Sequence, residues 1–204
     1  LDKGVPFVPG VANGSQIEQA MELGLDFVKF FPAEQAGGLA YIKAVSAPYS
    51  QMLFMPTGGI NENNLNYLSN PKIVCCGGSW IVPDKSVKSR DFKGITELCR
   101  TAVTKMLDFK IAHVGINADG AEDALKTASL FENVFGFTKK EGNSSVFAGN
   151  VIEVMKSSGR GKRGHIAIST PNVNRAVKNL EFGGVAFDYS SAKYDEKGRM
   201  TLIY

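Results

Sequence analysis

The sequence predicts an α/β fold, with parallel strands under covering helices in its first half and a smaller α+β region behind. Three observations predict this. Short apolar runs alternate with helical patterns up to about residue 107, and repetition of that kind gives a parallel sheet with helices packed on it. The helical stretches carry apolar residues three and four apart, whereas the strand runs are brief blocks of Val, Ile, Phe and Met. The pattern then changes at residues 107–110, after which short alternating strands dominate.

The elements follow in order. Val5 to Val8 reads as a strand. Ser15-Gln-Ile-Glu18 has capping-box spacing, and Ile17, Ala20 and Met21 line one helical face before Gly24. Phe27 to Phe31 is the next strand, stopped by Pro32. Gly37-Gly38 opens a second helix with Leu39, Ile42 and Val45 inward. Met52 to Met55 is a third strand, and Asn61 or Asn63 can cap a short helix bearing Leu65 and Leu68. Ile73 to Cys76 is a fourth strand. Asp91 caps a helix whose apolar positions are Phe92, Ile95, Leu98, Cys99, Ala102, Val103 and Met106, the clearest helical spacing in the chain. A closed parallel barrel needs about eight strands, and four alone would leave raw edges, so this half is expected to be part of a larger barrel.

In the second half, Ile111 to Asn117 alternates like a strand and Ala121 to Val134 is an amphipathic helix. Phe137 to Glu141, Ser145 to Phe147 and Val151 to Met155 follow as strands. Gly164 to Ile168 opens another strand-helix unit, with its helix over Val173 to Phe182. Asp195-Glu-Lys-Gly198 reads as a hairpin turn before a last strand, Met200 to Tyr204. This makes a βαβββ module and part of a second, and the region is expected to be incomplete at the C-terminus.

Composition narrows the function classes. Over 204 residues the chain is 44% hydrophobic and 21% charged, with a formal net charge of +3. That balance gives no case for nucleic acid or a membrane surface as a partner. No apolar run approaches the roughly 20 residues needed to span a bilayer. Cys75, Cys76 and Cys99 form no disulfide framework, which suggests reduced thiols and a cytoplasmic setting. Adjacent Cys75 and Cys76 are a poor metal pair and read as small buried hydrophobes. Lys156, Arg160, Lys162 and Arg163 flank glycines in a basic loop, read as solvated because no aromatic platform interleaves with the charges.

Two features carry chemistry in the first half. Lys29 sits inside the apolar strand, on one face with Phe27 and Phe31. Burial disfavours an ammonium, and a neutral amine can attack a ketone to form a Schiff base, an electron sink for carbon-carbon cleavage. By itself the strand favours a lysine that snorkels from a strand end. The loops shift that balance. Thr57-Gly58-Gly59 follows the third strand and Gly77-Gly78-Ser79 the fourth, and paired glycines let backbone amides approach an anion. In a parallel barrel both loops lie at the C-terminal rim.

Val8-Pro-Gly10, Lys29-Phe-Phe-Pro-Ala-Glu34, Pro56-Thr-Gly-Gly-Ile60 and Gly77-Gly-Ser-Trp80 resemble, in order and spacing, the class I 2-keto-3-deoxy-6-phosphogluconate / 2-keto-4-hydroxyglutarate aldolases. The resemblance implies that residues 1–107 are the C-terminal half of a (β/α)8 TIM barrel, its last four strand-helix units. It implies Lys29 as the Schiff-base lysine, with Phe30 and Pro32 shaping its pocket. It further implies Thr57, Gly58, Gly59, Gly78 and Ser79 as phosphate-binding positions. The implied enzyme is a cytoplasmic lyase of the Entner-Doudoroff kind. It needs no cofactor, acts on a small keto acid and assembles as a homo-oligomer, a trimer in the parent family. The family's general-base glutamate, and the arginine and threonine that hold pyruvate, lie on early strands without a counterpart here. Glu34 matches a different family position, so this chain is expected to lack turnover on its own.

The region 108–204 resembles the glyoxalase / bleomycin-resistance (vicinal oxygen chelate) superfamily through His113-Val-Gly-Ile116, Asn150-Val-Ile-Glu153 and Gly164-His-Ile-Ala-Ile168. That resemblance implies His113, Glu153 and His165 as three ligands of a divalent metal, for which imidazole and carboxylate suit Zn, Ni or Fe. The alternatives left open are a metal-free relic of that fold and, in the first half, a noncatalytic anion-binding half barrel.

Overall fold

A computed structural model describes residues 4–159 and 161–204 and divides the chain into two compact units, Leu1–Leu107 and Asp108–Tyr204. Arg160, one of the four residues of the expected basic loop, lies outside the described residues. No described helix is long and apolar enough to cross a membrane.

The first unit is α/β. Strands β1 (Gly10–Val11), β2 (Phe27–Phe30) and β3 (Leu53–Pro56) form a parallel sheet in the order β1-β2-β3. The joining helices are α1 (Gly14–Glu22) and α2 (Gly38–Val45). Each element buries one side. Ile17 and Ala20 of α1, Ile42 of α2, Val28 and Phe30 of β2, and Phe54 of β3 build one core with Met52 and Tyr67. Phe30 stacks on Tyr41 at 5.5 Å. Because side chains alternate along a strand, the face opposite Val28 and Phe30 carries Phe27 and Lys29, both half-buried.

Several expectations are corrected. Residues Val5 to Val8 form no strand, since Pro6 and Pro9 offer no N–H to a ladder; among the described residues the first strand is β1. The first helix is capped by Asn13 rather than Ser15. The Asn13 side chain accepts from Gln16 N–H at 3.1 Å, and the Gln16 side chain accepts from Ala12 N–H at 2.6 Å, so the box sits two residues earlier. Glu18 accepts instead from the Tyr49 hydroxyl at 2.9 Å. Among the described residues, the expected fourth strand takes the form of two parallel bridges, Phe54 to Ile73 and Thr57 to Gly77, rather than a regular ladder. Cys75, Cys76 and Cys99 are half-buried rather than fully buried, and Cys76 packs against the edge of the core.

Beyond β3 lie a 3-10 helix, Leu65–Ser69, a 3-10 turn, Ser79–Ile81, and helices α3 (Asp84–Lys88) and α4 (Phe92–Leu107). The Asp91 side chain caps α4 by accepting from Gly94 N–H at 2.9 Å.

The second unit is a mixed sheet with one face covered. Its strands are β4 (Lys110–Asn117), β5 (Lys139–Glu141), β6 (Ser145–Ala148), β7 (Ile152–Met155) and β8 (His165–Ser169), in the order β5-β6-β7-β4-β8. Only β4 and β7 pair in parallel; the other ladders are antiparallel. Helix α5 (Ala121–Phe135) lays Ala124 and Ala128 against Val146, Ala148 and Val154, small side chains that let the helix sit close. Helix α6 (Val173–Phe182) is capped by Asn172, and a hairpin of β9 (Lys193–Tyr194) and β10 (Met200–Leu202) closes the chain.

Candidate functional site

In the first unit, β2 holds Lys29 between Gly10 of β1 and Met55 of β3. Ladder bonds from both neighbours fix its backbone, and alternation turns its side chain away from the core. The side chain is half-buried rather than enclosed, with Nζ 5.2 Å from the centre of the Phe31 ring, a cation-π contact. The aromatic partner is therefore Phe31. Phe30, expected beside the lysine, is fully buried on the opposite face, because adjacent strand residues point apart.

The chain leaves β2 through Phe31 and a cis Pro32, and backbone bonds tie this exit to the end of β3. Thr57 N–H donates to Phe30 O at 2.9 Å, Ala33 N–H to Thr57 O at 2.8 Å, and Glu34 N–H to Gly58 O at 3.2 Å. The Gly58-Gly59 turn is required twice over. Both residues have positive φ, +93° and +76°. A Cβ on Gly58 would stand 3.0 Å from the Phe31 ring, and one on Gly59 would stand 2.6 Å from Glu34 Cβ. The Phe31 ring thus lies against Gly58 while the Lys29 amine stands over it.

Thr57 Oγ1 is buried without a hydrogen-bond partner among the described residues. Leaving a buried hydroxyl unpaired costs about 1–3 kcal/mol, which makes the position a candidate for a ligand contact. Among the described residues, the N–H groups of Gly58, Gly59 and Gly78 also have no protein acceptor. Gly78 and the exposed Ser79 follow the bridge from Gly77 to Thr57, so both glycine turns open at the C-terminal end of the parallel strands. Three features therefore occur at one rim: a primary amine, an orphan hydroxyl and unpaired amides. Such a set can bind an anion and attack a carbonyl.

The second unit carries a different cluster. His113 on β4, Glu153 on β7 and His165 on β8 project from the face that α5 leaves uncovered. Glu153 Oε2 lies 3.0 Å from His113 Nε2 and 3.3 Å from His165 Nε2, and the two Nε2 atoms are 3.0 Å apart. All three side chains are largely buried. Registry produces this convergence: Gly115 of β4 faces both Glu153 and His165. Donors bound about 2.0–2.2 Å from one ion at tetrahedral or octahedral angles lie roughly 2.8–3.6 Å apart. The three donors fit that spacing and could hold a divalent metal.

Sequence reasoning did not find the supporting residues. Ser145 donates to Glu153 Oε1 at 2.6 Å, leaving Oε2 toward the histidines, and Phe147 meets His113 edge-on at 5.6 Å. Both also line an adjoining cleft of about 390 Å³, with Lys140 and Asn150. The one available signal was Gly115, an isolated glycine inside a strand, which marks a close approach. The first-unit counterpart is Tyr67, whose hydroxyl donates to Glu34.

Residues 1–98 match the family model described as KDPG and KHG aldolase. The chain is 48% identical over 99 residues to the 2-dehydro-3-deoxy-phosphogluconate aldolase of Treponema pallidum, covering 48% of this chain and 47% of that protein. It is 42% identical over 100 residues to the KHG/KDPG aldolase of Escherichia coli, covering 48% and 47%. Among solved structures, the 2-keto-3-deoxy-6-phosphogluconate aldolase of Zymomonas mobilis with 3-phosphoglycerate is 42% identical, with a TM-score of 0.47 and coverage of 50% and 47%. The chain spans about half the length of the curated relatives it matches.

Proposed function

We propose, from the match of residues 1–98 to the KDPG and KHG aldolases, that this protein is a class I aldolase. It cleaves 2-keto-3-deoxy-6-phosphogluconate to pyruvate and glyceraldehyde 3-phosphate, and/or 4-hydroxy-2-oxoglutarate to pyruvate and glyoxylate. On this reading residues 1–107 are the last four strand-helix units of a (β/α)8 barrel, and the enzyme is a cytoplasmic homo-oligomer. Lys29 Nζ adds to the C2 carbonyl of the keto acid, and loss of water gives the Schiff base. The hydroxyl on C4 loses its proton, the C3–C4 bond breaks, and its electron pair moves into the iminium as the aldehyde departs. Protonation of the enamine at C3 and hydrolysis return pyruvate and the free amine. Thr57, Gly58, Gly59, Gly78 and Ser79 hold the substrate's anionic end through the hydroxyls and amides at the rim. Glu34 is not assigned as the base, since its carboxylate is engaged by Tyr67.

The observation that carries this reading is the ladder setting Lys29 opposite Met55, two residues before the orphan hydroxyl of Thr57. The test is reduction with borohydride in the presence of pyruvate, followed by peptide mapping. A pyruvate adduct on Lys29 is expected. An unmodified Lys29 would leave the noncatalytic anion-binding reading in its place.

A second reading concerns residues 108–204, taken as a glyoxalase-like domain that binds a divalent metal through His113, Glu153 and His165. The near-equal donor spacings favour it over a metal-free relic. With its three protein ligands on one side, the ion would keep positions open and supply Lewis acidity to a small ligand. Ser145 would orient Glu153, and Phe147 would wall the cleft. Metal content of the purified protein decides between the two: one ion per chain, lost in His113→Ala, is expected, and sub-stoichiometric content would favour the relic.

A further inference from the structure

We infer that Tyr67 and Glu34 are positioning residues that fix the Gly58-Gly59 anion turn relative to the strand carrying Lys29. This rests on the aldolase reading and adds to it two residues that touch no substrate.

The geometry runs from the core outward. Tyr67, on the 3-10 helix Leu65–Ser69, is 2% exposed, and only its hydroxyl reaches out, to donate to the Glu34 carboxylate. Burial and the adjacent carboxylate both push the phenol up, so it remains a donor across the physiological range. Glu34 is itself exposed, and an exposed glutamate samples many rotamers unless something holds it. Tyr67 supplies that hold.

Once held, Glu34 bears on the turn in two ways. Its backbone N–H donates to Gly58 O at 3.2 Å, and its Cβ and Cγ occupy the space beside Gly59 that a side chain there would need. From the other side, Asn61 Nδ2 and Asn64 Nδ2 donate to Gly59 O at 3.1 and 3.0 Å. The Gly59 peptide is therefore clamped between two asparagine amides and the Glu34 methylenes, which sets the direction of the unpaired N–H groups. The same Glu34 lies five residues after Lys29, on the exit of β2. One side chain thus links the amine's strand to the anion turn, with a buried phenol as its anchor.

The test uses the full chain with inorganic phosphate as the probe, followed by the amide signals of Gly58 and Gly59. Saturable shifts are expected in the wild type. Tyr67→Phe and Glu34→Ala should weaken phosphate about tenfold, the size expected when a hydrogen bond to a charged group is removed. Glu34→Gln, which keeps an acceptor for the phenol, should bind no more weakly than the wild type. A merely structural role would not give that rescue. All three variants should still form the pyruvate adduct at Lys29 if the wild type does.

Wild-type affinity in Tyr67→Phe, or absence of phosphate shifts in the wild type, overturns the inference while leaving imine formation untouched. Loss of the Lys29 adduct in the wild type overturns the aldolase reading alone, and the phosphate titration still decides the role of the pair. Should Tyr67→Phe fail to fold, the two Glu34 variants at an exposed position carry the test.

Discussion

Gly115 lies directly beneath His165 across the β4–β8 ladder, and a Cβ on Gly115 would come within 2.1 Å of His165 Cε1. The imidazole occupies the space where a side chain would stand. This lets His165 lean over β4 and reach the carboxylate of Glu153 on the next strand.

Gly115→Ala should therefore displace His165. Overpacking of this kind costs about 1–3 kcal/mol. In a His165→Ala background the same substitution should cost less than about 0.5 kcal/mol, because the clash is gone. A double-mutant cycle by denaturant unfolding measures this without reference to any metal. Equal costs in both backgrounds would show that the ring does not depend on the glycine.

Ser145→Ala removes the donor that holds Glu153 Oε1 at 2.6 Å. The carboxylate can then rotate away from the histidines. On the metal-binding reading, affinity for Zn²⁺ should fall by about 10–100-fold, the range found when a residue orienting a ligand is lost. Titration calorimetry with Zn²⁺ checks this, and an unchanged affinity would mean that Glu153 is fixed by other contacts.

Lys29→Arg keeps a cation near the Phe31 ring but offers no primary amine. The pyruvate-borohydride adduct should vanish, while stability changes by no more than about 0.5 kcal/mol, as for substitutions outside the core. Mass spectrometry and thermal melting read the two effects separately. An adduct that persists in the variant would place the reactive amine elsewhere.

The terminal hairpin should weaken in acid. The backbone N–H of Arg199, then its guanidinium, holds the Asp195 carboxyl below its ordinary value of 3.8, with the Lys197 N–H assisting. A depressed folded value means that the contribution is fully present above the unfolded value and is lost as pH falls through the folded one. Amide signals of Lys197 and Arg199 should hold steady from neutral pH to about 4 and shift below it. Asp195→Asn should abolish that acid step. A step that survives the substitution would assign it to another carboxyl.

Local sequence was informative wherever one element's own periodicity or capping decided the outcome. The helix over Val173–Phe182 and the Asp91 cap are where spacing and residue type put them. Alternation also turned Lys29 away from Val28, since period two is a property of the strand itself. Legibility failed where a neighbour decided. The apolar run at Val5 to Val8 was undone by two prolines, and the segment from Ile73 meets β3 through isolated bridges rather than a regular ladder. Phe30, placed beside Lys29 by the family resemblance, entered the core instead, and Phe31 met the amine, as alternation along the strand had put it.

The sequence by itself determined the order of strands and helices and which residues bear an amine, an imidazole or a carboxylate. Local dihedral preferences and side-chain chemistry need no distant partner. Only the tertiary structure decided that His113 and His165, 52 residues apart, bring their Nε2 atoms to 3.0 Å. It alone decided that Ser145 orients Glu153, that Tyr67 anchors Glu34 and that Thr57 buries an unpaired hydroxyl. These are consequences of strand register and close packing, and a shift of one residue in the register of β4, β6, β7 or β8 would send that strand's cluster side chain to the opposite face.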